Sequence, residues 1–343
     1  MRQLPQAPIW KALNGGVSLA GMLGRQPELS QFVLAARGQI NTTVDDTTTT
    51  LEAQVPADSD LYVLSASLCI TDQAVDGEGF TNVPALSPEY WWAHVEISED
   101  RGGKRLSNAP VSVGSIFGRG DRPFMYPAPW YLKAGTRVRV GILNESEIGS
   151  NPSTFWVCFN ALRAPANAPK LPYPFLLEPR LLDVLSSYYG AGELASVEPF
   201  FYSLFTGHSY LGKKTGFVPM ATESPTFTVS GHDFACCYLM GEIYDDSTVA
   251  YLNSAAAGLA DHLVQLVLDE GKVRLMDRPV AFHSLFGHGK RWMKLPQPLI
   301  IPAGHSLTAI VTPGKLPGSP EQRFLDHLTF AGVKLYRRGH AAA

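Results

Sequence analysis

Residues 105–140 occur twice in this chain. Shifted by 169 positions they fall on residues 274–309 without a gap, and 13 of the 36 aligned residues are identical. The shared text runs Arg-Leu, then Pro-Val, then Ser-(Ile/Leu)-Phe-Gly-x-Gly-x-Arg, then Pro-x-Pro, and closes on Ala-Gly ahead of an alternating segment. Self-similarity at a long fixed period marks tandem copies of one structural unit. Any fold assigned to this chain must therefore be buildable twice. At 343 residues, each copy has roughly 150, enough to bury about 70% of its unfolded surface without a disulfide or a metal.

Inside the first copy the text reads as short strands at residues 51–55, 61–71, 91–98, 105–113, 137–143 and 155–162. Apolar residues alternate with polar ones at Val95 and Ile97 and at Val138, Val140 and Ile142, the period of a half-buried strand. Residues 99–103 form a hairpin loop, and Lys133-Ala134-Gly135 is a turn leading into a strand. No helical period is visible within the copy. The order recurs in the second copy: residues 51–72 match 224–245 at an offset near 173, and residues 95–97 match 264–266 at 169. Such a change of offset falls in loops, where length is tolerated. Val157, Phe159 and Leu162 correspond to Leu328, Phe330 and Val333. About eight strands per copy, with the first near the last, indicate an all-β chain of two tandem jelly-roll β-sandwich modules. A fibronectin-like sandwich is the alternative. The expected organisation is an arm at 1–26, a first module at 27–163, a linker with a short helix at 164–198, a second module at 199–337 and a tail at 338–343. Prolines 165, 169, 172, 174 and 179 stiffen the linker, and Leu181, Leu182, Val184 and Leu185 recur at helical spacing within 180–189.

Charged residues make up 17% of the chain and the net charge is −3, which argues against nucleic acid as the main partner. No apolar run approaches the roughly 18 residues of a membrane span, so no membrane partner is expected. Cys69, Cys158, Cys236 and Cys237 show no metal spacing and read as reduced, mostly buried thiols. On a strand, adjacent Cys236 and Cys237 would face opposite sides. The arm resembles a signal peptide only faintly, and secretion is not expected. Its apolar segment at Ile9, Trp10 and Leu13 is read as a candidate interface that orders against a neighbouring subunit or else remains a frayed terminus.

The best-kept text needs a cause. Phe117, Gly118, Gly120 and Arg122, repeated as Phe286, Gly287, Gly289 and Arg291, read as structural corners between sheets. There the glycines permit positive φ and the arginines tie down carbonyls or carboxylates. A phosphate cradle would require a following helix, and Pro-x-Pro follows instead. Arg119-Gly120-Asp121 spells an adhesion tripeptide that becomes His288-Gly289-Lys290 in the second copy, so the corner does not depend on it. His283 and His288 flank Ser284 without a recognised metal spacing, and no metal or other cofactor is expected. The acids at Asp45/Asp46, Glu99/Asp100, Asp245/Asp246 and Asp269/Glu270 sit in turns and read as solvated. No catalytic constellation is visible. The aromatic residues Trp91, Trp92 and Trp130, near Tyr90, Tyr126 and Tyr131, are candidates for a subunit contact or a sugar platform.

Residues 122–144, R-P-F-M-Y-P-A-P-W-Y-L-K-A-G-T-R-V-R-V-G-I-L-N, and residues 328–336, L-T-F-A-G-V-K-L-Y, resemble the β-rich modules of virion structural proteins of tailed bacteriophages. That resemblance covers both modules. It implies a non-enzymatic particle component, part of the capsid, neck or tail, assembled in the bacterial cytoplasm through contacts with itself and with other virion proteins. A carbohydrate- or receptor-binding pair of β-sandwiches acting on a host glycan, and a tandem jelly-roll hydrolase, are the alternative readings.

Overall fold

The computed structural model describes residues 29–40, 47–72, 93–100, 103–118, 123–144, 153–166, 168, 170, 177–189, 194–206, 222–245, 250–251, 262–269, 272–286, 292–312 and 324–337. The first half carries strands β1 (Ser30–Ile40), β2 (Thr47–Gln54), β3 (Ser59–Asp72), β4 (Ala93–Glu99), β5 (Val111–Ser112), β6 (Phe124–Leu132), β7 (Arg137–Asn144) and β8 (Ser153–Pro165), with a helical turn α1 (Val113–Ile116) after β5. They form two four-stranded antiparallel sheets in the orders β1-β8-β3-β6 and β2-β7-β4-β5. Each sheet interleaves strands from both ends of the module, the double Greek key of a jelly roll.

The second half repeats this layout. Helix α2 (Pro179–Tyr188) precedes β9 (Leu194–Thr206), β10 (Thr226–Thr228), β11 (Asp233–Asp245), β12 (Ala250–Tyr251), β13 (Leu263–Leu268), β14 (Val273–Arg274), β15 (Val280–Ala281), the turn α3 (Phe282–Phe286), β16 (Met293–Ile301), β17 (Ser306–Thr312) and β18 (Phe324–Arg337). One sheet reads β9-β18-β11-β16 with β12 on the end of β11; the other reads β10-β17-β13, with β14 and β15 both paired to β13. The chain is thus two jelly rolls with the same strand order, and a fibronectin-like sandwich is set aside. Strand β9 begins within the stretch read as linker, and β8 runs two residues past Arg163.

Sequence alternation explains the layering. Val138, Val140 and Ile142 on β7 are fully buried while Arg137 and Arg139 are exposed, so β7 closes the core with one face and meets solvent with the other. The first core joins Val63, Phe155 and Phe159 of one sheet to Val95, Ile97 and Val140 of the other. The second joins Phe234, Leu328 and Phe330 to Val264, Leu266 and Ala309. Equivalence extends to irregularities: β3 and β11 each carry a bulge, at Leu64 and Cys237, against β8 and β18. A bulge inserts one residue and tightens local twist, and keeping it in both copies keeps the sheets alike.

The shared Ala-Gly is a turn in both copies. Gly135 has φ 72° and Gly304 φ 84°, and Thr136 N–H donates to the Lys133 carbonyl as His305 N–H does to Pro302. A four-residue turn with positive φ at its third position is the type II geometry that favours glycine. One aspartate holds each turn. Asp60 accepts from Ala134 N–H at 2.8 Å and Tyr131 Oη at 2.9 Å; Asp233 accepts from Ala303 N–H at 2.8 Å, Tyr189 Oη at 2.6 Å and the Arg337 guanidinium at 2.8 Å. Asp100 and Asp269 likewise accept the amides of Arg137 and Ser306 at the start of β7 and β17. These two loop acids are therefore structural acceptors, not merely solvated charges.

Other readings need correction. Residues 105–113 do not form one strand: bridges at Arg105 and Ser107 precede the two-residue β5, because this segment leaves β4 to pair with β9. The one-turn helices α1 and α3 were invisible to a periodicity test, since four or five residues cannot display a period. All four cysteines are free, but Cys69 is exposed and Cys158 half-buried, because both lie on the outer face of their sheet. Cys236 and Cys237 are buried on opposite faces, one in the second core and one beneath α2.

Candidate functional site

The two sandwiches are joined along a seam built from β4, β5 and β6 of the first and β9, β11 and β18 of the second. Residues 106–108 pair in parallel with Phe201: Phe201 N–H donates to the Leu106 carbonyl at 2.8 Å, and Asn108 N–H donates to the Phe201 carbonyl at 3.2 Å. The Asn108 side chain closes the bridge, its Oδ1 accepting from Ser203 N–H at 2.7 Å and its Nδ2 donating to the Ser203 carbonyl. Lys104 meets Glu198 at 2.7 Å on the exposed rim.

Beside that bridge lies an aromatic cluster. Phe124 and Tyr126 of β6 contact Phe201, and Phe124 also meets Tyr238 and Trp292, the latter with ring centroids 4.0 Å apart. Burying rings of this size contributes roughly 1.5–3 kcal/mol each. Tyr126 is sealed, and burial pushes its hydroxyl far above the ordinary tyrosine value.

On the other side is a buried polar cluster. His94 on β4 faces His327 on β18 with ring centroids 5.4 Å apart, and Phe205 stacks on His327 at 4.5 Å. Ser203 Oγ lies 2.7 Å from His327 Nε2. Ser112 donates to Glu242, which is opposite His327 in the β11–β18 ladder. Burial, with His94 alongside, holds the His327 imidazole well below the usual histidine value, so the ring is neutral at pH 7.

Ser203 and His327 have the contact of a nucleophile with its base, but they are 3% and 2% exposed, and His327 Nδ1 has no hydrogen-bond partner. A catalytic base needs an orienting group on that nitrogen and a path for substrate. Among the described residues this pair has neither, and it serves as part of the buried joint between the modules. Among the described residues no three His, Cys, Asp or Glu side chains stand together as metal ligands, and no helix is long and apolar enough to cross a membrane.

No family model matches the sequence, and no curated protein matches it. Among solved structures the chain is similar to the STIV MCP, at 12% identity and a TM-score of 0.37 over 89% of this chain and 96% of that one. It is also similar to the PBCV-1 virus capsid, at 9% identity and a TM-score of 0.37 over 91% and 96%. The infectious bursal disease virus VP2 subviral particle matches at 11% identity and a TM-score of 0.23 over 98% and 80%.

The residues singled out in the sequence are distributed unevenly. Phe117 and Phe286 end α1 and α3 and are buried at 2% and 0%. Gly118 serves by backbone pairing: its N–H donates to the Ala66 carbonyl and its carbonyl accepts from Leu68 N–H, fastening the corner to β3. Trp130 is corrected from an interface candidate to a core residue, 4% exposed, packed on Phe159 and donating from Nε1 to Glu99 at 2.9 Å. Its apolar ring completes the first core, so it cannot reach a neighbour or stack on a sugar. Ile9, Trp10, Leu13, Trp91, Trp92, Gly120, Arg122, Gly287, Gly289 and Arg291 lie outside the described residues. The seam itself was missed. Asp60 and Asp233, aligned at offset 173 in the matched stretches, were the one visible signal of the acids that hold the turns.

Proposed function

We propose that this chain is a non-enzymatic structural protein of a virus particle, a shell subunit that works by presenting two similar jelly-roll surfaces to its neighbours. The observation that carries this reading is the seam: two equivalent sandwiches are joined by backbone pairing, an aromatic cluster and a buried polar cluster into one block. A block that carries the same jelly-roll surface twice suits a closed lattice, in which equivalent patches are used repeatedly. A bacteriophage host and assembly in the bacterial cytoplasm rest on the resemblance of residues 122–144 and 328–336. The glycan reading has lost two of its rings, since Tyr126 and Trp130 are buried.

Quantitative mass spectrometry of gradient-purified particles from the source strain tests this proposal. Hundreds of copies per particle place the chain on the shell, and a dozen or so place it at the neck or tail. Absence from the particles overturns the proposal.

A further inference from the structure

Helix α2 covers one sheet of the second module, and the repeat shows what the first module has in that place. Leu181 and Leu185 of α2, with Leu177 and Tyr189 at its ends, pack on Ala235, Cys237, Val333 and Leu335, all buried to 2% or less, and on the partly buried Val197 and Ile300. Reading each through the two ladders gives its counterpart: Ala235 and Val333 are cross-strand partners as Tyr62 and Leu162 are, and Leu335 pairs with Asp233 as Ala164 does with Asp60. Cys237 and Leu64 are the two bulge residues, and Ile300 corresponds to Tyr131 at the 169-residue shift. The separate apolar cluster on the outer face of the first module consists of these counterparts, Tyr62, Leu64, Tyr131, Leu162 and Ala164, joined by Leu29.

The same patch thus exists on both modules, and on the first Leu29, Leu64, Tyr131 and Leu162 remain only partly buried. In the second module the covering helix is the chain immediately ahead of the first strand, with residues 189–193 between α2 and β9. In the first module the chain ahead of β1 enters at Leu29, within the patch, and 28 residues precede it. That arm holds two apolar stretches, residues 9–13 and residues 17–23, and Gly21 interrupts the second, so the first is the better helix former. Ile9 and Leu13 have the four-residue spacing of Leu181 and Leu185, and Pro8 stands just before them as Pro179 does before the α2 pair. Residues 14–28 span the gap with length to spare, since an extended chain reaches about 3.3 Å per residue.

We infer that residues 8–13 of the arm dock on the outer face of the first module of the same chain, over the partly buried Leu64, Tyr131 and Leu162, in the place α2 occupies on the second. Docking within the chain is favoured because the tether keeps the segment at a high effective concentration over the patch. The arm then completes a module; it is not a free connector to a neighbour.

Disulfide trapping in the full-length chain tests this. Leu13→Cys and Leu64→Cys are introduced together in a Cys69→Ser, Cys158→Ser background and oxidised under native conditions. The expected product is a disulfide within one chain, running at monomer mass on a non-reducing gel and identified by peptide mapping. Adding Ile9→Asp should lower the trapping yield about tenfold, because a carboxylate at an apolar contact is penalised. No described strand or helix contains residue 9, so circular dichroism of that variant should match the parent. A band of twice the monomer mass would show docking on a second copy, and no trapping in a folded chain would show no docking; either result overturns the inference.

Discussion

Asp233→Ala should destabilise the chain more than the equivalent Asp60→Ala, although the two aspartates occupy the same position of the repeat. Asp233 is 4% exposed. Burial raises its carboxyl pKa, but hydrogen bonds from Tyr189, Ala303 and Arg337 outweigh that and hold it below the ordinary 3.8. Removing it strands the Tyr189 hydroxyl and the Ala303 amide, each worth roughly 1.5–3 kcal/mol against a charged acceptor. Arg337 adds less, about 1 kcal/mol or below, because its side chain is 45% exposed and can turn to water. The expected cost is about 4 kcal/mol. Among the described residues Asp60 receives Tyr131 and Ala134, while Arg163 pairs with Asp58, and the half-buried Tyr131 can rehydrate, so Asp60→Ala should cost about 2–3 kcal/mol. Urea unfolding followed by circular dichroism, at constant m, measures both. Since the folded carboxyl of Asp233 titrates below its unfolded value, its stabilisation is present above about pH 4 and is lost on acidification through the folded value. The gap between wild type and Asp233→Ala should close accordingly. An Asp60→Ala cost equal to or above that of Asp233→Ala, at pH 7, would refute the reasoning.

Gly332→Ala should block folding or cost more than about 3 kcal/mol, because a Cβ there would sit 2.0 Å from the Ala235 carbonyl oxygen on the paired strand. Gly141→Ala meets nothing nearer than the Glu96 carbonyl at 3.8 Å and should be neutral or slightly stabilising in the same urea assay. His327 is held neutral by burial, so its contribution is complete above the unfolded value of 6.5 and declines below it by up to about 1.4 kcal/mol per pH unit. His327→Gln should flatten that slope in denaturation curves taken from pH 7 to 5. Asn108→Ala should loosen the seam by about 1–3 kcal/mol, seen as earlier separation of two unfolding transitions, whereas exposed Lys104→Ala should change stability by less than about 1 kcal/mol.

Strand β7 was legible because one of its faces is wet: Arg137 and Arg139 alternating with Val138 and Val140 announce both period and orientation. Duplicated text gave the tandem layout. The seam was not legible, because its residues carry no period of their own. Asn108 and Ser203 are ordinary polar residues whose roles come from a pairing between segments 95 positions apart. Trp130 misled for a related reason. Its aromatic neighbourhood suggested a surface cluster, whereas Glu99 satisfies its indole N–H and lets the ring enter the core. Strand β1 was missed as well, since Ala35, Ala36 and Gly38 give it weak strand propensity and its pairing with β8 decides the outcome.

Cryo-electron microscopy of the purified particles tests the central claim most directly. The account predicts a shell whose repeating tile, for each copy of this chain, is a pair of jelly-roll sandwiches joined at the Leu106–Asn108 to Phe201 pairing. Particles that contain the chain but show the two sandwiches separated, or a shell built without it, would contradict the account.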